Sequence, residues 1–237
     1  YSDEDTNSMH VKQATEAYHI GEAAPAKSYL NQEKILDVML SSGADAVHPG
    51  YGFLSENDDF ARLCEKNKIT FIGPSADSMN LCGDKMECKA AMLKAKVPTV
   101  PGSPGLVKDA EDAAKVANEI GYPVMLKSVY GGGGRGIRIV TNDKELHEGF
   151  ETVTSESIAA VGKSAIIVEK FLEKTRHIEY QMCRDQHGNA VHLFERECSI
   201  QRRNQKLIEQ TPSPVVDDAK REEIGEIVVR AAEAVDY

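Results

Sequence analysis

Residues 122–136 hold the strongest phosphate signal in the chain. Tyr122-Pro123-Val124-Met125-Leu126-Lys127-Ser128-Val129-Tyr130 runs into Gly131-Gly132-Gly133-Gly134-Arg135-Gly136. Successive glycines carry no Cβ, so this backbone accepts positive φ and close approach to a ligand. Lys127 upstream and Arg135 inside the loop supply the positive charge that a polyphosphate attracts. Gly131, Gly133 and Gly136 satisfy G-x-G-x-x-G, but that pattern marks a dinucleotide fold only where a helix follows. Here Ile137-Arg138-Ile139-Val140 follows, and its alternation predicts a strand. No Gly-Lys-Ser/Thr closes the run, which removes the P-loop. What is left is strand, glycine flap, strand. Protein kinases also cover phosphates with a glycine hairpin, but their lysine lies on a later strand. A glycine-rich turn without a ligand is the competing reading of the motif by itself.

Other residues could contribute. Asp84-Lys85-Met86-Glu87 reads as a helix start, with Asp84 and Glu87 as a capping pair. Lys85 then sits at the positive end of the helix dipole, which is easier to explain if an anion binds nearby. An exposed lysine paired with Asp84 explains it equally well. The loop His48-Pro49-Gly50-Tyr51-Gly52-Phe53-Leu54-Ser55-Glu56-Asn57 follows a strand over Asp45-Ala46-Val47. Open α/β sheets place ligands at such strand ends, although a tight turn also needs Pro and Gly. Strand alternation over Arg176–Cys183 sets His177, Glu179 and Gln181 on one face and Ile178, Tyr180 and Met182 on the other. The polar face is either a site wall or solvated sheet. Arg202, Arg203 and Lys206 are a basic set within an acidic chain, too small for a nucleic-acid surface. Glu169 and Lys170 end the apolar strand Ser164–Val168 and enter a polar hinge. No metal site is readable: the histidines lack ligand spacing and no carboxylate pair stands out. No Ser/His/Asp or Cys/His arrangement has local support.

These residues need a frame to hold them. Helical spacing over Asn31–Ser42, the strand at 45–47, a helix starting near Ser55 with Asp58 as its capping-box partner, and a strand at Ile69-Thr70-Phe71-Ile72 form βαβ material with a parallel sheet. Pro98, Pro101, Gly102, Pro104 and Gly105 read as a linker. A helix over Asp109–Ile120 ends at Gly121, and a second spans Asp143–Val153. With the flap hairpin and strand 164–172, residues 99–172 form a small α+β lobe. Arg176–Cys183 and Ala190–Ile200 form a hairpin about Asp185–Asn189, and Gln201–Lys206 follows as a polar run. Ile224, Ile227, Val228, Ala231 and Val235 mark an amphipathic helix.

The 237 residues carry a formal net charge of −10. That balance argues against nucleic-acid binding as the main activity. The absence of a long apolar run or signal-peptide pattern argues against a membrane segment. Five cysteines without a C-x-x-C pair read as reduced thiols. A start at Tyr1 and an end inside a helical pattern lead us to expect a piece of a longer protein.

Four segments together resemble the biotin carboxylase component of biotin-dependent acyl-CoA and pyruvate carboxylases. They are His48–Asn57; Gly83-Asp84-Lys85; Tyr122–Gly136; and Glu195-Arg196-Glu197-Cys198-Ser199-Ile200-Gln201-Arg202-Arg203. They stand in the family's order and span nearly the whole chain. The flap alone marks only the wider ATP-grasp superfamily. The resemblance implies a fold of mixed α/β and α+β class: a partial Rossmann-like N-terminal domain at 1–73, a helical linker at 74–98, the small ATP-grasp lid lobe at 99–172 and the start of the large lobe at 173–237.

It also implies roles. Lys85 and Lys127 would hold ATP phosphates, and the flap of Gly131, Gly132, Gly133, Gly134 and Gly136 would close over them. Glu169, Lys170 and Leu172 would frame adenine. His177, Gln201 and Asn204 would line the nucleotide site. Lys206 would lie by the transferring phosphate and bicarbonate, as the catalytic residue. The implied reaction is ATP-driven carboxylation of biotin by bicarbonate through carboxyphosphate. Biotin would arrive on a biotin carboxyl carrier protein, and a carboxyltransferase subunit would use the product. Mg²⁺ or Mn²⁺ would be bound by residues beyond this chain, so the chain alone is expected to be inactive. The whole protein is expected to be a homodimer in the cytoplasm, with the mitochondrial matrix left open. Acetyl-CoA or propionyl-CoA is the expected acceptor, with pyruvate and methylcrotonoyl-CoA as alternatives. Two positions depart from the family. Asn204 replaces a histidine and cannot take a proton near neutrality, and Ser128-Val129 replaces a pair of small residues. Rival readings are a carbamoyl-phosphate-synthetase-type ATP-grasp ligase and a nucleotide-binding module without catalysis.

Overall fold

The computed structural model describes residues 1–129, 136–203 and 205–237. The chain divides into two compact units, Tyr1–Asp84 with Val235–Tyr237, and Lys85–Ala234. The division falls inside the stretch 74–98 expected as a linker, which is helical on both sides of it.

The first unit contains α1 (Met9–Gln13), α2 (Gln32–Ser42), β1 (Ala46–Val47), α3 (Asp58–Lys66), β2 (Thr70–Phe71) and α4 (Ala76–Gly83). β1 and β2 are parallel, with Ala46 opposite Thr70. α3 is therefore the crossover of a βαβ unit. Asn31 caps α2 by accepting from Lys34 N at 3.0 Å. At α3 the expected Ser55–Asp58 box does not form. Asn57 is the cap, with Oδ1 accepting from Phe60 N at 2.8 Å and from Gln32 Nε2 at 3.0 Å. The short amide of Asn57 sits one turn before the orphan N–H groups, and Ser55 lies too far back to reach them. The cap turns Phe60 and Cys64 onto Met39, Leu54 and Ile69.

The second unit contains α5 (Lys85–Lys94), α6 (Ala110–Ile120), β3 (Val124–Ser128), β4 (Ile137–Val140), α7 (Asp143–Val161), β5 (Ile166–Lys170), β6 (Ile178–Arg184), β7 (Ala190–Arg202), β8 (Gln205–Gln210) and α8 (Asp218–Ala234). Its strands form two antiparallel sheets, ordered β4-β3-β5 and β6-β7-β8. This mixed α/β architecture is the one expected from the sequence. In the first sheet Val124 and Leu126 turn inward beneath α6 and α7 and pack with Val140, Leu146, Val153 and Val168. Strand alternation then leaves Lys127 on the opposite face. α7 runs past the expected Val153. Its next inward position is polar: Ser157 Oγ lies 2.9 Å from Ser128 Oγ and donates to Lys163 O at 2.8 Å. The unusual Ser128 thus finds a buried partner, and apolar periodicity alone ends the helix about two turns too early.

The Pro/Gly segment expected as a linker is pinned along β5. Ser103 N donates to Val168 O at 2.8 Å, Lys170 N to Pro101 O at 2.8 Å and Val107 N to Ile166 O at 2.9 Å. A Cβ on Gly102 would stand 2.4 Å from Val168 O, so only glycine permits this approach.

In the second sheet β7 extends past Ile200, and the polar run expected as loop contributes a third strand. β8 pairs Gln201 with Lys206 and Arg202 with Gln205. β8 is exposed along its length, so it carries no half-buried alternation to betray it. α8 packs on β6 and β7. Its anchor is Arg221, whose Nε and Nη2 each donate at 2.8 Å to the two oxygens of fully buried Glu195. Ser213 N donates to the same carboxylate at 3.0 Å. None of the five cysteines is joined to another in a disulfide. Among the described residues, no helix is long and apolar enough to cross a membrane.

The Arg221 hydrogen bonds, helped by Ser213 N–H and opposed by burial, hold the Glu195 carboxyl at about 2 against an ordinary 4.5. A depressed folded value means that the unfolded chain binds the proton more tightly. The contribution is therefore complete above pH 4.5 and is lost as pH falls toward about 2. Urea unfolding of Glu195→Gln should show a shallower loss of stability across that window than the parent. An unchanged acid slope would exclude Glu195 as the titrating group. Glu195→Ala strips Arg221 of its buried partner, leaving only exposed Asp218 and the Val216 carbonyl, and should cost about 3 kcal/mol at neutral pH.

Candidate functional site

The first cluster lies on the open face of the β4-β3-β5 sheet. Lys127 is opposite Ile167 and Met125 is opposite Glu169, so Lys127 and Glu169 are diagonal neighbours on one face. Their side chains form an ion pair, with 32% and 20% of their surface exposed. Lys170 points the other way. Its ammonium donates to Gly121 O at 2.9 Å and Tyr122 O at 2.8 Å, tying the end of β5 to the approach of β3. Leu172, just beyond, is half exposed and offers an apolar surface. Gly136 closes the base of the flap at φ +72°, its carbonyl accepting from Ser128 N at 2.8 Å. Gly131, Gly132, Gly133 and Gly134 lie outside the described residues, as does Asn204.

The second cluster lies on the β6-β7-β8 sheet, and Glu179 is its centre. β6 and β7 pair with Glu179 directly opposite Arg196. Arg196 Nε donates to Glu179 Oε1 at 2.7 Å, and its Nη1 reaches Gln181 Oε1 at 3.3 Å. From β8, the Lys206 ammonium donates to Glu179 Oε2. His177 Nε2 stands 3.5 Å from the same oxygen. Gln201 Nε2 is 2.7 Å from His177 Nδ1. The structure thus brings His177, Gln201 and Lys206 together, with Glu179 and Gln181 on the same face. Hydrogen bonding from Lys206, reinforced by Arg196, holds the Glu179 carboxyl below its ordinary value despite burial. The Lys206 ammonium is pushed up in turn by Glu179. Lys85 opens α5 and is exposed; among the described residues, no hydrogen bond ties it to either cluster. In the first unit, the His48–Asn57 loop carries Tyr51 at 95% exposure. Phe53, at φ +43°, is stacked on Tyr29 with centroids 5.1 Å apart.

Arg196 is the site residue that sequence reasoning did not single out. Its signal was present: folding the hairpin about Asp185–Asn189 places a basic residue opposite Glu179. The bulge between Tyr180 and Met182 shifts the register there, which hides the pairing from a simple count. Glu179, Cys198 and Glu209 place ligand-type atoms within 4.8 Å of one another. They do not suit Mg²⁺ or Mn²⁺. Glu179 is already taken by two cations, and burial raises the Cys198 thiol and keeps it protonated, whereas hard cations take oxygen ligands.

Lysines held by carboxylates on two sheet faces, with a glycine-rich sequence after Lys127, point to a nucleotide-binding protein of the ATP-grasp type. Comparison with known proteins narrows this. The family described as "Biotin carboxylase, N-terminal domain" matches residues 1–79, and "Carbamoyl-phosphate synthase L chain, ATP binding domain" matches residues 84–237. The small subunit of 2-oxoglutarate carboxylase from Hydrogenobacter thermophilus is 51% identical over all of this chain, which covers 50% of that protein. Relatives of 48–50% identity include alpha chains of propionyl-CoA and methylcrotonoyl-CoA carboxylases. The crystal structure of a biotin carboxylase–beta-gamma-ATP complex from Campylobacter jejuni superposes with a TM-score of 0.84 at 45% identity, covering 100% of this chain and 53% of that one. The biotin carboxylase domain dimer of the Hydrogenobacter enzyme, in complex with MgADP, ADP and bicarbonate, gives 0.80 at 51% identity, covering 100% and 52%. The chain belongs to the biotin carboxylase family. It spans about half the length of the first of these relatives and of both structures.

The ion pair with Glu179 makes a direct prediction. In Glu179→Gln, Lys206 should titrate at lower pH than in the parent, toward the ordinary lysine value, when followed by NMR of the lysine side chains. An unchanged Lys206 titration would show that the pair does not form in solution.

Proposed function

We propose that this chain is the ATP-binding part of a biotin carboxylase, an ATP-dependent ligase that carboxylates carrier-bound biotin with bicarbonate. The observation that carries the reading is the pairing of Lys127 with Glu169 and of Lys206 with Glu179 on exposed sheet faces. Both ammonium groups are positioned yet reachable from solvent, and each can exchange a carboxylate for a phosphate oxygen. Such positioned cations stabilise charge as it moves in phosphoryl transfer.

In this reading Lys127 and Lys85 bind ATP phosphates beneath the flap, and Leu172 with the backbone of the β5 end receives adenine. Bicarbonate attacks the γ-phosphate to form carboxyphosphate and ADP, with Lys206 neutralising the developing charge. Carboxyphosphate then releases phosphate and CO₂, and the ureido nitrogen of biotin gives its proton to the phosphate as it takes up the CO₂. The relatives' complexes with a beta-gamma-ATP ligand, and with MgADP and bicarbonate, support these substrates. A divalent cation would be held by residues outside this chain. The N-terminal match favours this reading over a carbamoyl-phosphate-synthetase-type ligase, since the ATP-binding match alone serves both. The partners are a biotin carrier protein and a carboxyltransferase, and the dimer of one relative supports a homodimer. We keep acetyl-CoA or propionyl-CoA as the acceptor. Relatives named for different acceptors are about equally similar, because the carboxyltransferase makes that choice. The cytoplasm or mitochondrial matrix suits both kinds of relative.

Calorimetry with ADP tests the nucleotide site. The parent should bind, and Lys127→Ala should bind about 10- to 100-fold more weakly, the scale of one charge-assisted hydrogen bond. Equal affinity in the two would remove Lys127 from the site. Bicarbonate-stimulated ATP hydrolysis by the protein at its relatives' full length separates a ligase from a binding module. No stimulation by bicarbonate would favour the module.

A further inference from the structure

Gln201 touches His177 in a way that settles which protons the pair carries. Gln201 Nε2 stands 2.7 Å from His177 Nδ1 and 2.8 Å from Cys198 O. A backbone carbonyl only accepts, so the Cys198 contact identifies which end of the amide is nitrogen. One amide hydrogen goes to Cys198 O and the other faces Nδ1. A ring nitrogen that accepts carries no proton. We propose that Gln201 sets His177 as the Nε2–H tautomer, and that His177 thereby donates that proton to an acceptor oxygen of the bound nucleotide.

The surroundings agree with this assignment. Nε2 faces Glu179 Oε2 at 3.5 Å, so the proton points at the anionic centre of the cluster while no ligand competes. Glu179 already binds Arg196 and Lys206, so the local positive charge is supplied without His177. The backbone of His177 is held on both sides. Its N–H donates to Ser199 Oγ at 2.8 Å, and its carbonyl accepts from Cys198 N at 2.7 Å. The Ser199 hydroxyl donates its hydrogen to Glu197, which also accepts from Ser213 Oγ at 3.1 Å. Each hydroxyl in this chain donates once. Glu197 is only 8% exposed and acts as a positioning residue: it fixes Ser199, and Ser199 fixes the strand position from which the imidazole projects. Side-chain tautomers interconvert freely in water, and His177 is 45% exposed. The lock therefore has a use that burial alone would not supply.

The ligand part of this proposal rests on the nucleotide reading above; the tautomer part does not. Long-range ¹H–¹⁵N correlation of the His177 ring in the purified protein reads the tautomer directly. The parent should show an unprotonated Nδ1 and a protonated Nε2. In Gln201→Glu the new carboxylate can only accept, so Nδ1 should carry a proton. Gln201→Leu should give mixed tautomers and at least a threefold loss of ADP affinity, with the remaining spectrum unchanged. A protonated Nδ1 in the parent, or the parent tautomer in Gln201→Glu, overturns the lock. The expected tautomers with unchanged ADP affinity in Gln201→Leu overturn the donor assignment. No ADP binding by the parent would instead count against the nucleotide reading and leave the tautomer result standing on its own.

Discussion

Three basic or ring nitrogens from three different strand positions converge on one carboxylate, Glu179. Arg196 reaches it from β7, Lys206 from β8 and His177 from the start of β6. Without that carboxylate the two cations would repel each other and swing into solvent. With it, their charges are fixed within hydrogen-bond distance before any anion arrives. Long cationic side chains lose substantial rotamer freedom when they bind a ligand. Here the carboxylate has already ordered them, so a phosphate oxygen has only to replace one partner by another.

The same logic operates on the β4-β3-β5 sheet. Lys127 is held by Glu169 across β3 and β5, and β5 is itself gripped on its far edge by the segment around Gly102 and Ser103. Packing makes this possible. Val124 and Leu126 bury one face of β3 under α6 and α7, and the two-residue period of a strand leaves Lys127 no choice of side. On the other sheet, Arg221 clamps α8 to buried Glu195. Its sequence neighbour Arg196 must then point to the opposite face, toward Glu179. In both sheets a buried anchor on one face fixes a charged group on the other.

The helices and most strands were legible because their signals are local. Asn31 and Asp109 stand at the starts of the expected helices and cap them, Gly121 ends the second of these, and Val124–Lys127 alternates. The flap hairpin followed from what comes after the glycines. The polar face of His177, Glu179 and Gln181 followed from strand alternation. The rest failed for identifiable reasons. β8 is exposed throughout, so its strand character lies only in its pairing with β7. The segment around Gly102 is rich in Pro and Gly, which signals a linker, yet its hydrogen bonds to β5 are non-local and leave no pattern in the sequence. Ser55 was expected to open α3, but Asn57 is the residue next to the helix and caps it. Arg196 was hidden by a bulge. Ser157 is a polar residue doing the inward packing that periodicity assigns to apolar ones.

The central claim is that the β5 end and the paired lysines form a nucleotide site. Photolabelling with 8-azido-ATP, followed by peptide mapping, tests it most directly. The label should fall within residues 166–172 or on strand 178–184, and excess ATP should prevent it. Labelling confined to the first unit, or labelling that ATP does not compete away, would contradict the account.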